Sequence, residues 1–133
     1  MGPQLGYLFS EGEYLLLLDG DMALEPEFTP AAIAYLQAHA DCGGVAGRAE
    51  MDEAQSYEFK SRKQRIHKIY PLGPSRWLCG GGLFRRCAIE QIGYLTNRNL
   101  HGYEEAELGI RLRAVIPGDA RYADVASAHR ARR

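Results

Sequence analysis

The chain has 133 residues, 46% of them hydrophobic and 25% charged, with a formal net charge of -1. That is enough chain for a single domain (1–133) with a real core, and the composition excludes disorder, low-complexity repeats and any overall field favouring nucleic acid or a membrane surface. No apolar run approaches the roughly 20 residues of a bilayer span, and Met1-Gly2-Pro3-Gln4 lacks the basic and long apolar regions of a signal peptide, so a cytoplasmic location is expected. Cys42, Cys79 and Cys87 are odd in number and lack metal-type spacing, which predicts reduced, partly buried thiols.

Residues 1–12 are Gly-rich, and Glu11-Gly12-Glu13 forms a turn into the first strong signal. Tyr14 to Leu18 are unbroken apolar residues that end in Asp19-Gly20-Asp21, which predicts a strand buried on both faces that delivers carboxylates to its C-terminal end. In open α/β sheets ligands sit at that end. Asp19 and Asp21 lie two apart, on one face of a continuing strand, and Gly20 lets a ligand approach the backbone. Two hard oxygen donors so placed suit Mg²⁺ or Mn²⁺ carrying a diphosphate; the competing reading is a strand running into an Asp-Gly turn.

Thr29 as N-cap and Pro30 at the first helical position predict a helix with Ile33, Leu36 and Ala40 as its core stripe, ending before Gly43-Gly44. Val45 to Met51 is placed as a strand. Asp52 with Gln55 resembles a capping box and opens a predicted helix over 52–70, stopped by Pro71. Lys60, Arg62, Lys63, Arg65 and Lys68 make that helix basic; it either meets an anionic acceptor, a phosphate or a membrane surface, or is a solvated face behind Phe59, Ile66 and Ile69.

Trp77 precedes Cys79-Gly80-Gly81-Gly82-Leu83-Phe84. Three successive glycines weaken a strand and imply a backbone that passes close to something flat, and Trp77 offers a surface on which sugars stack; a glycine-rich bend with Trp77 in the core is the alternative. A short helix over Cys87–Ile92 is stopped by Gly93. A last helix begins near Glu104-Glu105, with Leu108, Leu112 and Val115 facing the core, and ends at Pro117-Gly118. Its glutamates complement the helix dipole, yet no Ser, Thr, Asp or Asn stands at its N-cap, which suggests carboxylates aimed into a site, where one would act as general base on a hydroxyl. Arg121 to Val125 is a predicted strand, and His129 is either a surface residue or an imidazole ligand for a metal held by Asp21.

Taken in order, these signals resemble the inverting family 2 glycosyltransferases of GT-A fold. Glu13-Tyr14-Leu15-Leu16-Leu17-Leu18-Asp19-Gly20-Asp21 resembles the strand that ends in the family's Asp-x-Asp motif. Cys79 to Arg86 resembles its glycine-rich segment beside sugar and acceptor, and Ile92-Gly93-Tyr94 the Gly-aromatic that follows. Glu104-Glu105-Ala106-Glu107-Leu108 with Arg111-Leu112 resembles its Glu-Asp motif and the positions after it. The resemblance implies an α/β, partial GT-A (Rossmann-like) domain, a mixed sheet flanked by helices. It implies Glu105 as catalytic base with Glu104 beside it, Asp21 as metal ligand with Asp19 and His129, and Asp19, Trp77, Gly80, Gly81, Gly82 and Arg111 as substrate-binding residues. The expected cofactor is Mg²⁺ or Mn²⁺, the donor a nucleotide-diphosphate sugar, and the acceptor a hydroxyl on a glycan, a lipid-linked sugar or a small molecule.

Two departures from the family accompany the match. Glu105 stands where the family usually has Asp, and only 18 residues precede Asp19 where about three βα units are usual. The expectation is therefore an acceptor-side half of the domain lacking most of the N-terminal nucleotide-binding units, self-associating through residues 5–18, with little or no turnover alone. A non-catalytic truncated transferase that binds without turnover is the alternative. A Mg²⁺-dependent phosphohydrolase of the haloacid dehalogenase kind shares Asp-x-Asp but leaves the triple glycine unexplained.

Overall fold

A computed structural model describes residues 2–20, 22–47, 49–51, 73–76, 78, 81–116, 120–122 and 129–131. Among the described residues, four helices and eight short strands follow one another in this order: α1 (Gly2–Phe9), β1 (Tyr14–Leu16), β2 (Met22–Leu24), α2 (Phe28–Ala38), β3 (Gly44–Ala46), β4 (Ala49–Met51), β5 (Gly73–Ser75), β6 (Gly82–Arg85), α3 (Arg86–Ile92), α4 (Glu104–Val115), β7 (Ala120–Tyr122) and β8 (His129–Ala131). The architecture is the mixed α/β fold expected from the sequence. A five-stranded sheet has the order β1-β6-β3-β7-β5, with β3 and β7 parallel and the other neighbours antiparallel; a three-stranded sheet has the order β2-β8-β4.

The core is divided by the pleat of the central strands. Successive side chains of a strand point to opposite faces, so Leu83 and Val45 join Phe28, Ala32, Leu36 and Cys42 under α2, while Phe84 and Ala46 join Leu15, Leu78, Ala88, Ile89, Leu95, Leu108 and Leu112 under α3 and α4. Among the described residues, one helix covers one face of the sheet and two cover the other. Phe28, Leu36, Ile89 and Val45 are wholly buried; at about 25 cal/mol per Å² such side chains each contribute about 1.5–3 kcal/mol.

Several local expectations are corrected. Residues 2–9 form a helix, α1, rather than an irregular Gly-rich lead-in. The strand after it is shorter than Tyr14–Leu18, and of those residues Leu15 alone is fully buried, Leu16 and Leu18 remaining 37% and 42% exposed. The reason is position: among the described strands β1 stands at one end of its sheet, and α2 lies over the more central strands. The second helix starts at Phe28 with Glu27 at its N-cap, so Thr29 and Pro30 fall inside the first turn, and its buried positions are Phe28, Ala32 and Leu36 rather than Ile33, Leu36 and Ala40. The stretch 45–51 divides into β3 and β4, which belong to different sheets. In α4 Leu108 and Leu112 are buried as expected, but Val115 is 42% exposed. The short helix ends as expected, with Gly93 in the left-handed region at φ 85°. The basic helix expected over 52–70 lies outside the described residues.

One glycine expectation finds a structural explanation. A Cβ on Gly82 would stand 2.9 Å from Cε2 of Phe84, and one on Gly44 would stand 2.6 Å from its Cδ1. The flat object that this part of the glycine run approaches is therefore the Phe84 ring. Gly81 has φ 85°, a conformation that side chains other than glycine rarely adopt.

Candidate active site

The acidic loop and the last helix meet because β1 pairs with β6. Leu15 lies opposite Phe84, and the ladder continues one step further, where Leu17 N–H donates to the Gly82 carbonyl at 2.9 Å. The glycine segment thus runs alongside the chain just before Asp19. A turn follows, closed by Met22 N–H donating to the Asp19 carbonyl at 3.0 Å, and the Asp19 side chain is exposed.

Residues at the start of α4 face it. A cleft of about 220 Å³ is lined by Asp19, Glu104, Glu105, Thr96 and Asn97, with Leu17, Leu100, Leu108 and Pro3 as its apolar part. Asp19 and the adjacent pair Glu104 and Glu105, at least 85 positions further along the chain, therefore line one cavity.

The backbone before α4 explains how its carboxylates are presented. Gly102 has φ 122° and Tyr103, the residue at the N-cap, has φ 62°; Tyr103 makes no side-chain cap hydrogen bond and is 87% exposed. A left-handed conformation costs a residue other than glycine about 1–2 kcal/mol, and Tyr103 is the one such residue among those described. The expectation that no ordinary N-cap stands here is met. Instead Glu104 turns back: hydrogen bonds from its own backbone N–H and then from that of Gly102 hold its carboxyl below the usual range. Glu105, next in the helix and half-buried, remains directed to the cleft lining.

Glu107 and Arg111 serve the frame. The guanidinium holds Glu107 in two bonds, at 2.6 and 2.7 Å, and lies 3.8 Å over the Tyr94 ring. The same guanidinium donates to the carbonyls of Tyr94 at 2.6 Å and Leu95 at 3.1 Å, and Tyr94 O–H donates to Glu107 at 3.2 Å. The bond from Arg111 is the main reason the Glu107 carboxyl lies below its usual range, outweighing its partial burial. Arg111, expected to bind substrate, is thus engaged in tying α4 to the loop after α3.

Asp21, Trp77 and Gly80 lie outside the described residues, and of His129 the backbone alone is described: β8 pairs with β2 so that His129 stands opposite Leu24. Among the described residues no three His, Cys, Asp or Glu side chains converge as a metal site. The donors that do line the cleft are carboxylates with an amide and a hydroxyl, a hard-oxygen set whose chemistry fits Mg²⁺ or Mn²⁺ better than a thiophilic ion. Sequence reading overlooked Thr96, Asn97 and Leu100, although the polar run Thr96-Asn97-Arg98-Asn99 between two helices was a signal for a loop with ligand-binding chemistry.

No protein-family model matches the chain. A stretch of 25 residues is 88% identical to the nitrogenase iron-molybdenum cofactor biosynthesis protein NifE of Mesorhizobium japonicum and 84% identical to that of Sinorhizobium fredii, in each case covering 19% of this chain and 5% of the other. A match over so small a part of either protein carries no fold or function. Solved structures give a longer likeness. TarS of S. aureus, residues 1–349, superposes with a TM-score of 0.71 at 14% identity over 97% of this chain and 38% of its own. The same protein in complex with UDP-GlcNAc superposes at 0.72 with 11% identity over 98% and 37%. At such identity the likeness is one of fold, and the chain spans less than two-fifths of the TarS chain. This protein therefore shares the mixed α/β fold of part of TarS.

Proposed function

We propose that this chain carries the catalytic and acceptor side of an inverting, metal-dependent glycosyltransferase similar to family 2, taking a sugar from a nucleotide-diphosphate donor to an acceptor hydroxyl. The observation that supports the reading best is the shared cleft of Asp19, Glu104 and Glu105 on a glycosyltransferase-type fold. TarS binding UDP-GlcNAc makes a uridine-diphosphate sugar the first donor to try.

In this reading Glu105 removes the proton of the acceptor hydroxyl as its oxygen attacks the anomeric carbon. The bond from that carbon to the diphosphate breaks on the opposite face, and the nucleoside diphosphate leaves with the electron pair. Base catalysis of this kind is typically worth about 10²–10⁴ in rate. Glu104, its charge favoured by two backbone N–H groups, stands next to Glu105 in the lining of the same cleft. Asp19 and Asp21, with His129, are the residues that would hold a divalent ion. When bound, that ion neutralises charge on the departing diphosphate.

Calorimetric titration of the full chain with UDP-GlcNAc, with and without Mn²⁺, followed by assay of UDP release, tests the proposal. Metal-dependent binding with release of UDP supports it. Binding without release under any acceptor supports the non-catalytic alternative, and phosphate release from phosphomonoesters without either would support a phosphohydrolase instead.

A further inference from the structure

The loop between α3 and α4 forms the polar wall of the cleft, and two side chains from outside it hold its backbone. From α1, Gln4 Oε1 accepts from Leu95 N–H at 2.9 Å and from Thr96 N–H at 3.1 Å. From α4, Arg111 donates to the Leu95 carbonyl at 3.1 Å and to that of Tyr94 at 2.6 Å. The backbone of Leu95 is therefore gripped at both its N–H and its C=O, while its side chain is 3% exposed in the core. Hydrophobic contact contributes little to this placement of α1, since Tyr7 alone of the helix packs, partly buried, against the core and Leu5, Leu8 and Phe9 are exposed.

The next two residues, Thr96 and Asn97, line the cleft. Asn97 Oδ1 accepts from Asn99 N–H at 3.0 Å, which leaves the side-chain nitrogen of Asn97 as its donor. The Thr96 hydroxyl both donates and accepts. The facing carboxylates of Asp19, Glu104 and Glu105 only accept when ionised. A ligand that bridges a donating wall and an accepting wall needs several groups that do both, which is the chemistry of a polyhydroxylated ring.

We propose that Thr96 and Asn97 bind the hydroxyls of a carbohydrate acceptor opposite Glu105, and that Gln4 is the positioning residue that holds them there. The inference rests on the transferase reading above and narrows its acceptor from any hydroxyl compound to a sugar. Because Gln4 only accepts, Gln4→Glu keeps both bonds, whereas Gln4→Met keeps length and apolar volume and removes them.

The test is a titration of the isotope-labelled full chain with free N-acetylglucosamine and with mannose, read at the Thr96 amide and the Asn97 side-chain NH₂. At least one sugar should shift both signals in the wild type and in Gln4→Glu, with about tenfold weaker binding in Gln4→Met, the scale of one or two neutral hydrogen bonds. Asn97→Ala should weaken binding by a similar factor. Absence of any shift in the wild type, affinity within about twofold of wild type in a folded Gln4→Met, or equal loss in Gln4→Glu and Gln4→Met would each overturn the proposal. If Gln4→Met fails to fold, wild-type affinity in Asn97→Ala overturns it alone. UDP release that depends on Glu105 while these variants bind sugar normally would leave the transferase reading standing and remove this one; sugar binding that depends on Gln4 in a chain without UDP release would do the reverse.

Discussion

Gly44 and Gly82 show how a residue's meaning depends on what lies across the sheet from it. Both were conspicuous as glycines, and both leave room for one phenylalanine ring, a relation that no local pattern announces because Phe84 reaches Gly44 across a strand pair. Gly44→Ala should therefore destabilise the fold by about 1–3 kcal/mol, the usual scale of overpacking a core; urea unfolding monitored by circular dichroism measures it, and an unchanged midpoint would mean that the ring moves aside freely. The acids behave differently. Asp19 and Glu105 stood out in the sequence as carboxylates at the end of an apolar strand and at an uncapped helix start, and the fold brings both to one cleft. Asp21→Asn should abolish Mn²⁺-dependent binding of UDP, whereas Asp19→Asn should weaken it less. Calorimetry separates the two, and equal, metal-independent binding by both variants would reduce Asp19-Gly20-Asp21 to a turn.

At the scale of elements, the helices with a buried stripe were readable and the one without it was not. Periodicity found α4 through Leu108 and Leu112, and Gly93 marked the end of α3. α1 escaped because it has no buried stripe, only a partly buried Tyr7: Gln4 ties it to the loop after α3, and Arg86 ties the following turn through Ser10 at 2.7 Å and the Gly12 carbonyl. Such polar docking leaves no hydrophobic signature. The α4 anchor makes a pH prediction. Arg111 lowers the Glu107 carboxyl below its ordinary pKa of 4.5, so the stabilisation is present above that value and is lost as pH falls through the lowered one. Denaturant midpoints should fall on acidification below about pH 4.5 in the wild type, and Glu107→Gln should be less stable at pH 7 but lose less on acidification. Parallel losses in both proteins would assign the acid sensitivity elsewhere.

Across the molecule, the described residues expose several large apolar side chains in the first eighteen positions. Leu5, Leu8 and Phe9, at i, i+3 and i+4 of α1, are 49%, 63% and 87% exposed, and Leu16 and Leu18 follow in and after the outermost strand. Among the described residues β1 has a strand partner on one side only, and an unpaired edge together with exposed apolar side chains favours association. The expected self-association should therefore appear in sedimentation at tens of micromolar and weaken in Leu8→Glu with Phe9→Asp; a monomer in both forms would contradict it. The mixed α/β layering was legible from the alternation of apolar strands and helices. The split into two small sheets was not, because strand order depends on pairings between residues far apart in the chain, such as Leu24 with His129.

The account turns on Glu105 at the mouth of α4. Its most direct test is the kcat for UDP release from UDP-GlcNAc, measured with Mn²⁺ in the wild-type full chain and in Glu105→Gln. Whatever release the wild type shows should fall by about 10²–10⁴ in the variant with little change in donor KM. A fall of less than about threefold would contradict the role of Glu105 as base.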